Sequence, residues 1–247
     1  MQQYSEMNQT NYASGEWEVV AQAPAMERAT FITKTYMHLL GAVLAFIAIE
    51  FALFATIDVG AVVQAMFGSG GMAGPLIVLG VFLVVSFVAN RWAVSATSPA
   101  VQYAGLGLYV VAEAVIFLPI LWYASKFGGP NVIPTAAVTT LALFGALTAV
   151  VFLTRKDFSF LRSALMFGGF AALGLIVCGM LFSFELGPIF SYAMIALMCG
   201  FILYDTSNVM HHYHRTQHVA AALALFASLA TLFWYVLRLY MQLQSRD

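Results

Sequence analysis

Charge is what this chain lacks. Only 9% of its 247 residues are Asp, Glu, Lys or Arg, against about 25% in an ordinary soluble domain. With 62% hydrophobic residues and a mean hydropathy of +0.88, polar surface is too scarce to face water on all sides. That excludes a soluble cytosolic enzyme and a disordered chain. A net charge of −1 and the absence of a basic run exclude a nucleic-acid partner. Cysteine is scarce too. Cys178 and Cys199 lie in apolar runs with no second cysteine at metal-ligand or redox spacing, so neither a disulfide scaffold nor a thiol centre is expected. The chain has no His-Glu-x-x-His, no Gly-x-Ser-x-Gly, no Walker loop and no Rossmann glycine triplet. The expectation is a non-enzyme without cofactor or resident metal.

What is present is length of apolar run. Seven segments stand out, at about 36–57, 75–89, 100–123, 133–154, 160–182, 188–208 and 219–242. Each is near the ~20 residues that an α-helix needs to cross a bilayer. Strands of a membrane barrel would be about ten residues long with strict alternation. Gly, Pro or charge separates the segments: Gly-Ser-Gly-Gly at 68–71, Thr-Ser-Pro at 97–99, Gly-Gly-Pro at 128–130, Arg-Lys-Asp at 155–157, Glu-Leu-Gly-Pro at 185–188 and a His-rich stretch at 211–218. The fold class that follows is an all-α integral membrane protein with lipid as its solvent. Glycines such as Gly105, Gly107, Gly168, Gly169, Gly174, Gly179 and Gly200 suit close helix packing, with hinges or a pore lining as the alternative.

Residues 1–32 are polar and read as a flexible tail, with 33–247 as the membrane domain. No cleavable signal peptide is visible. A short amphipathic stretch at 17–20 is a weak candidate for touching a membrane or partner. Arg28, Lys34, Arg91, Arg155, Lys156, Arg162 and Arg215 lie on the tail's side; Lys126, Arg238 and Arg246 lie opposite. Seven against three places the amino terminus in the cytoplasm. A re-entrant last segment would return the carboxyl end to the same side.

Ionisable groups inside spans are the informative residues, since each costs about 2.5–3.5 kcal/mol at a helix centre on insertion scales. Three acids qualify: Glu50, Glu113 and Asp205. No Lys or Arg lies at comparable depth; Arg91 and Arg238, near segment ends, are the candidate electrostatic partners. Carboxyls in this position protonate, share hydrogen bonds, line a wet path or bind a cation. Glu50 is near enough to its span's end to snorkel outward. Glu113 precedes the helix-loosening Pro119 by six residues. Asp205 opposes the helix dipole at a carboxyl-terminal end, so something else must favour it. His211, His212, His214 and His218 read as a solvated loop that titrates near neutral pH, with no carboxylate or cysteine to complete a zinc set. His38 reads as interfacial.

Two stretches carry a resemblance. One is Thr154-Arg155-Lys156-Asp157-Phe158-Ser159-Phe160-Leu161. The other is Gly200-Phe201-Ile202-Leu203-Tyr204-Asp205-Thr206-Ser207-Asn208, followed by a last span ending in Leu-Arg-Leu. Together they resemble the Bax inhibitor-1 family of membrane proteins, and the likeness covers the chain after about residue 30. It implies a seven-transmembrane-helix bundle with the last helix central, enclosed by the other six. One bacterial branch is described as a pH-sensitive calcium leak closed by two aspartates paired across the last two helices. Asp205 matches the first aspartate; Ser228 stands where the second is expected, so only a simple hydrogen bond can form there.

That serine resembles the YccA-like branch, whose members interact with the membrane-bound ATP-dependent protease FtsH. The resemblance thus implies a bacterial inner (plasma) membrane protein, modulator and substrate of an FtsH-type protease and its associated membrane proteins, in membrane protein quality control. The alternative is a calcium or proton leak or transporter using Asp205, Glu113, Glu50 and Ser228, with calcium as the transported ion. On the protease reading, deleting residues 1–25 leaves a folded bundle with a longer lifetime in cells that contain the protease, because a processive protease starts on a loose end. Pulse-chase of the two forms measures this; equal half-lives count against that reading.

Overall fold

The computed structural model describes residues 19–68, 73–95 and 98–244. Eight α-helices follow one another among them: α1 Ala25–Thr56, α2 Val59–Phe67, α3 Ala73–Ala93, α4 Pro99–Phe127, α5 Val132–Thr154, α6 Arg162–Phe182, α7 Pro188–His211 and α8 His218–Gln244. All but α2 are long and apolar enough to cross a membrane. Local chemistry sets their ends. Pro99 and Pro188 open α4 and α7, where a missing N–H is harmless. Asp58 caps α2 by accepting from the Ala61 N–H at 3.1 Å. Arg155 adopts the left-handed conformation that stops α5, at φ 52°.

Helix α2 has no counterpart among the seven apolar segments. It is a short turn of helix whose Val59 and Val63 pack beneath Leu118 and Trp122. The first spanning helix also begins earlier than the expected boundary at residue 32. Phe31 and Thr35 are already buried. Ahead of α1, Val19 bridges His214 and the Val20 N–H donates to the Tyr213 carbonyl at 2.9 Å. Glu27 pairs with Arg215. Residues 19–24 therefore strap the α7–α8 loop, and a tail deletion that spares the bundle must end before Val19. The expected tail at 1–18, with Trp17, lies outside the described residues.

The last helix is the core. In its most apolar stretch α8 buries 72% of its residues, against 6–22% for α1, α3, α5 and α6. Lipid is as apolar as leucine, so close packing must hold the helices together. Ala220, Ala221 and Ala222 let neighbours approach the first turns of α8. Helices α1, α3, α4, α5 and α7 pack against it, whereas α6 rests chiefly on α7. Enclosure is thus by five helices rather than six. At the α6–α7 seam the side chains interlock: a Cβ at Gly168 would lie 2.8 Å from Leu197, and one at Gly200 would lie 2.7 Å from Leu165. Gly105 brings α4 against the α3 backbone, where a Cβ would lie 2.6 Å from the Ala89 carbonyl. Gly107 and Gly174 face open space.

Large apolar side chains cover the outside, including Phe51, Leu153 and Ile189 at 74%, 83% and 84% exposure. No soluble monomer tolerates such a surface. The bundle has a proximal face, carrying the start of α1 and the α5–α6 and α7–α8 loops, and a distal face, carrying the α4–α5 and α6–α7 loops. In a background lacking Cys178 and Cys199, Asn131→Cys is expected to react with an impermeant maleimide from outside the cell, and Lys156→Cys only after lysis. Labelling of both from one side would sink the map.

Candidate functional site

Asp205 and Ser228 meet. Both are buried, and the Ser228 hydroxyl donates to Asp205 Oδ2 at 2.6 Å. Asp205 lies six residues before the end of α7, about 9 Å along the helix axis. Ser228 is mid-way along the central α8. A hydrogen bond to a charged group is worth about 1.5–3 kcal/mol in water-based proteins, though in membranes the average measured pair is nearer 0.6 kcal/mol. Tyr213, in the α7–α8 loop on the proximal side, packs its ring near Phe31 and is close enough to feel the Asp205 charge. Burial first, then the nearby Asp205 carboxylate and Tyr204, push its phenol up from the ordinary tyrosine value.

A second set of contacts fastens the same end of the bundle. Asp157, in the charged turn after α5, accepts from the Ser159 N–H at 2.8 Å and the Ser207 hydroxyl at 3.3 Å through Oδ1. Its Oδ2 lies 3.0 Å from His212 Nε2. Ser207 Oγ in turn accepts from the Phe158 N–H at 2.9 Å. The turn is thereby tied to α7 two residues beyond Asp205. Slight burial raises the Asp157 carboxyl, but the Ser159 hydrogen bonds and His212 outweigh it and hold it below the usual aspartate value. The histidine stretch is accordingly not a free solvated loop. His212 meets Asp157, His211 Nδ1 lies 3.0 Å from the Ser207 carbonyl oxygen, and His214 bridges Val19. His38 stacks on Tyr103 and sits edge-on to His218. Among the described residues no three His, Cys, Asp or Glu gather as metal ligands.

Glu113 lies elsewhere, on α4, buried at 4% exposure. Tyr109, one turn earlier, sets its hydroxyl against the Glu113 carboxyl. Glu113 also lines a cavity of about 710 Å³ that reaches the distal loop and includes Glu185 and Arg238. Arg238 Nη2 donates to the Leu186 carbonyl at 2.7 Å, beside a Gln242 bond to the same oxygen at 3.0 Å. It therefore ties down the α6–α7 loop and forms no ion pair with Glu113. Below the cavity an aromatic layer fills the bundle: Phe46 against Phe117 at 5.1 Å, and Tyr109 against Phe226 at 6.2 Å.

Glu50 and Arg91 do not join these sites. Glu50 does not snorkel; it is 7% exposed and points into a separate pocket between α1 and α5. Arg91 is exposed and pairs with none of the three acids. The sequence reading missed Tyr109, Ser207, Asp157 and His212 as site residues. Tyr109 was detectable, because it stands four residues before Glu113 on the same helix face. The Asp157–Ser207 contact joins residues 50 apart in sequence, and no local pattern announces it.

Residues 28–246 match the profile of the family described as "Inhibitor of apoptosis-promoting Bax1". An uncharacterised protein of Pseudomonas aeruginosa is 28% identical over 160 residues, covering 64% of this chain and 68% of that protein. Bax inhibitor 1 of Schizosaccharomyces pombe is 30% identical over 154 residues, covering 59% of this chain and 54% of the other. An uncharacterised membrane protein of Vibrio cholerae is 28% identical over 131 residues, covering 51% and 56%. The match thus spans little more than half the length of the latter two.

The Asp157 tie has a defined pH signature. A depressed carboxyl stabilises the folded state above the unfolded value, about 3.9 for Asp, and loses that contribution as pH falls through the lower folded value. At 44% exposure solvent screening limits the effect to about 0.2–1 kcal/mol. Asp157→Asn is expected to lower thermal stability by that amount near neutral pH, with the gap closing below about pH 4. Thermal unfolding of both forms in detergent across this range measures it; a gap independent of pH refutes the assignment.

Proposed function

The chain belongs to the Bax inhibitor-1 family, and from that premise we propose that it is a cation leak of the membrane, passing calcium at a low rate and closed in the conformation described. The observation that carries the reading is the Asp205–Ser228 contact on the central helix, at 2.6 Å and buried. An acid in that position, with one hydroxyl donor and no cation, is costly unless it serves an ion or a proton. The distal cavity supports the same reading. It brings the acidic Glu113 and Glu185 to one space of about 710 Å³, roomy enough for hydrated ions, with Phe117 in its wall. Entry is from the distal side, the aromatic layer blocks the middle, and Asp205 guards the proximal exit. Calcium takes six to eight oxygen ligands when held tightly. The cavity has oxygen-bearing side chains in Glu113, Glu185, Thr231, Tyr235 and Gln242, yet among the described residues no three acids or histidines gather into one ligand set, which suits passage better than storage.

On this reading the proximal face is cytoplasmic and the membrane is the bacterial inner membrane. Glu50 takes no part in the path. The protease-modulator reading rests on the tail, most of which lies outside the described residues, and on the likeness carried by Ser228, which a leak with shallow pH gating accommodates equally. With a serine opposite Asp205, only one carboxyl can titrate at the gate, and gating by pH is shallow. Two carboxyls in contact resist joint ionisation and share a proton over a range of pH.

Calcium flux into vesicles holding the purified full chain, from about pH 5 to 8, tests the proposal. The native chain is expected to leak above protein-free vesicles with a weak pH dependence. Ser228→Asp is expected to steepen that dependence, and Asp205→Asn to leave it shallow. No flux above background in any form would overturn the leak. Steep native gating abolished by Asp205→Asn would show that one aspartate suffices and that the missing second carboxyl is not what sets the slope.

A further inference from the structure

The pocket that holds Glu50 is separate from the distal cavity and differs from it in kind. It measures about 420 Å³ and lies between α1, α5 and the central α8. Nearly all of its lining is apolar. Its outer rim includes Ile47, Phe51 and Leu141, which are 42%, 74% and 55% exposed on the flank of the bundle. A molecule entering there comes sideways from the hydrocarbon, not from water.

Three polar atoms in this pocket have no hydrogen-bond partner: Glu50 Oε1, Glu50 Oε2 and Thr140 Oγ1. Both residues are more than nine-tenths buried, at 7% and 2% exposure. The remaining hydroxyl in the lining, Ser125, is engaged with the Trp122 carbonyl at 2.8 Å. No Lys, Arg or His lines the pocket. Leaving a buried polar group unpaired costs about 1–3 kcal/mol, and more for a charged one. The pocket therefore has three unpartnered oxygens and no cationic protein group to meet them; the Thr140 hydroxyl can donate or accept, whereas an ionised Glu50 only accepts. An ammonium carries three donors and one positive charge.

We propose that this pocket binds a single-chain lipid amine from the surrounding bilayer, its ammonium held by Glu50 and Thr140 and its alkyl chain lying against the apolar lining. A neutral alcohol brings one donor and no charge. A fatty acid brings a second negative charge beside Glu50. The charge and the donor count both favour the amine.

The test uses the full chain in phosphatidylcholine nanodiscs, titrated with hexadecylamine or hexadecanol, with bound molecules counted by native mass spectrometry. One amine per chain is expected, bound about tenfold or more tighter than the alcohol of equal length, a difference of about 1.4 kcal/mol. Glu50→Gln keeps the shape of the pocket but removes the charge, and is expected to abolish the preference for the amine. Ala137→Phe, which places a ring in the pocket, is expected to block both ligands in a chain that still folds; it serves as the independent check should Glu50→Gln not fold. Equal binding of amine and alcohol, an undiminished preference in Glu50→Gln, or retained amine binding in Ala137→Phe would each overturn the assignment.

Discussion

A polar group inside a bilayer has only the protein to hydrogen-bond with, and the arrangement of this bundle follows from that constraint. Among the described residues three acids are buried within spanning helices, and each meets it differently. Asp205 finds a serine hydroxyl on the central helix. Glu113 has a tyrosine on its own helix and an opening toward the distal face. Glu50 finds nothing within the protein. The three are therefore not one functional unit. They are a buried contact between α7 and α8, the wall of a distal cavity and a separate, largely apolar pocket.

The central helix makes this division possible. Because α8 contacts α1, α3, α4, α5 and α7, one helix supplies Ser228 to Asp205, Arg238 to the distal cavity and Phe233 to the Glu50 pocket. Its two ends are fastened by different chemistry. Distally, Arg238 and Gln242 converge on one carbonyl, Leu186. Proximally, the loop that leads into α8 is held between the strap at Val19 and Val20 and the turn at Asp157. The Asp205 contact adjoins this proximal set, since Ser207 and His212 lie on the same short stretch of chain. Arg238 is thus a loop anchor, even though its charge and depth mark it from the sequence as a partner for the acids.

Much of the architecture was legible in the residues. Seven apolar runs between breakers correspond to the seven spanning helices, and the family likeness implies the place of Ser228 opposite Asp205. Both belong to contiguous stretches of chain, and in a bilayer the free energy of a span is largely a sum over such a stretch. The short α2 escaped notice because nine residues carry too little apolar pattern to separate from a loop. The start of α1 escaped because Pro24 and the polar residues after it read as tail until the Val20 bond to Tyr213 and the Glu27–Arg215 pair on the α7–α8 loop are known.

What the sequence by itself determined is that the chain is a helical membrane bundle with three unusual acids. Hydropathy and charge are properties of residues and need no fold to be read. Only the tertiary structure decided what each acid faces. Asp157 reaches Ser207 across 50 residues and Arg238 reaches Leu186 across 52, and Glu50 shares a pocket with Thr140 from another helix. Such pairings depend on the rotation of each helix about its axis. That rotation is set by close packing at glycines such as Gly105, Gly168 and Gly200 and by the interlocking of side chains from distant segments, because lipid offers the helices no preferred face of its own.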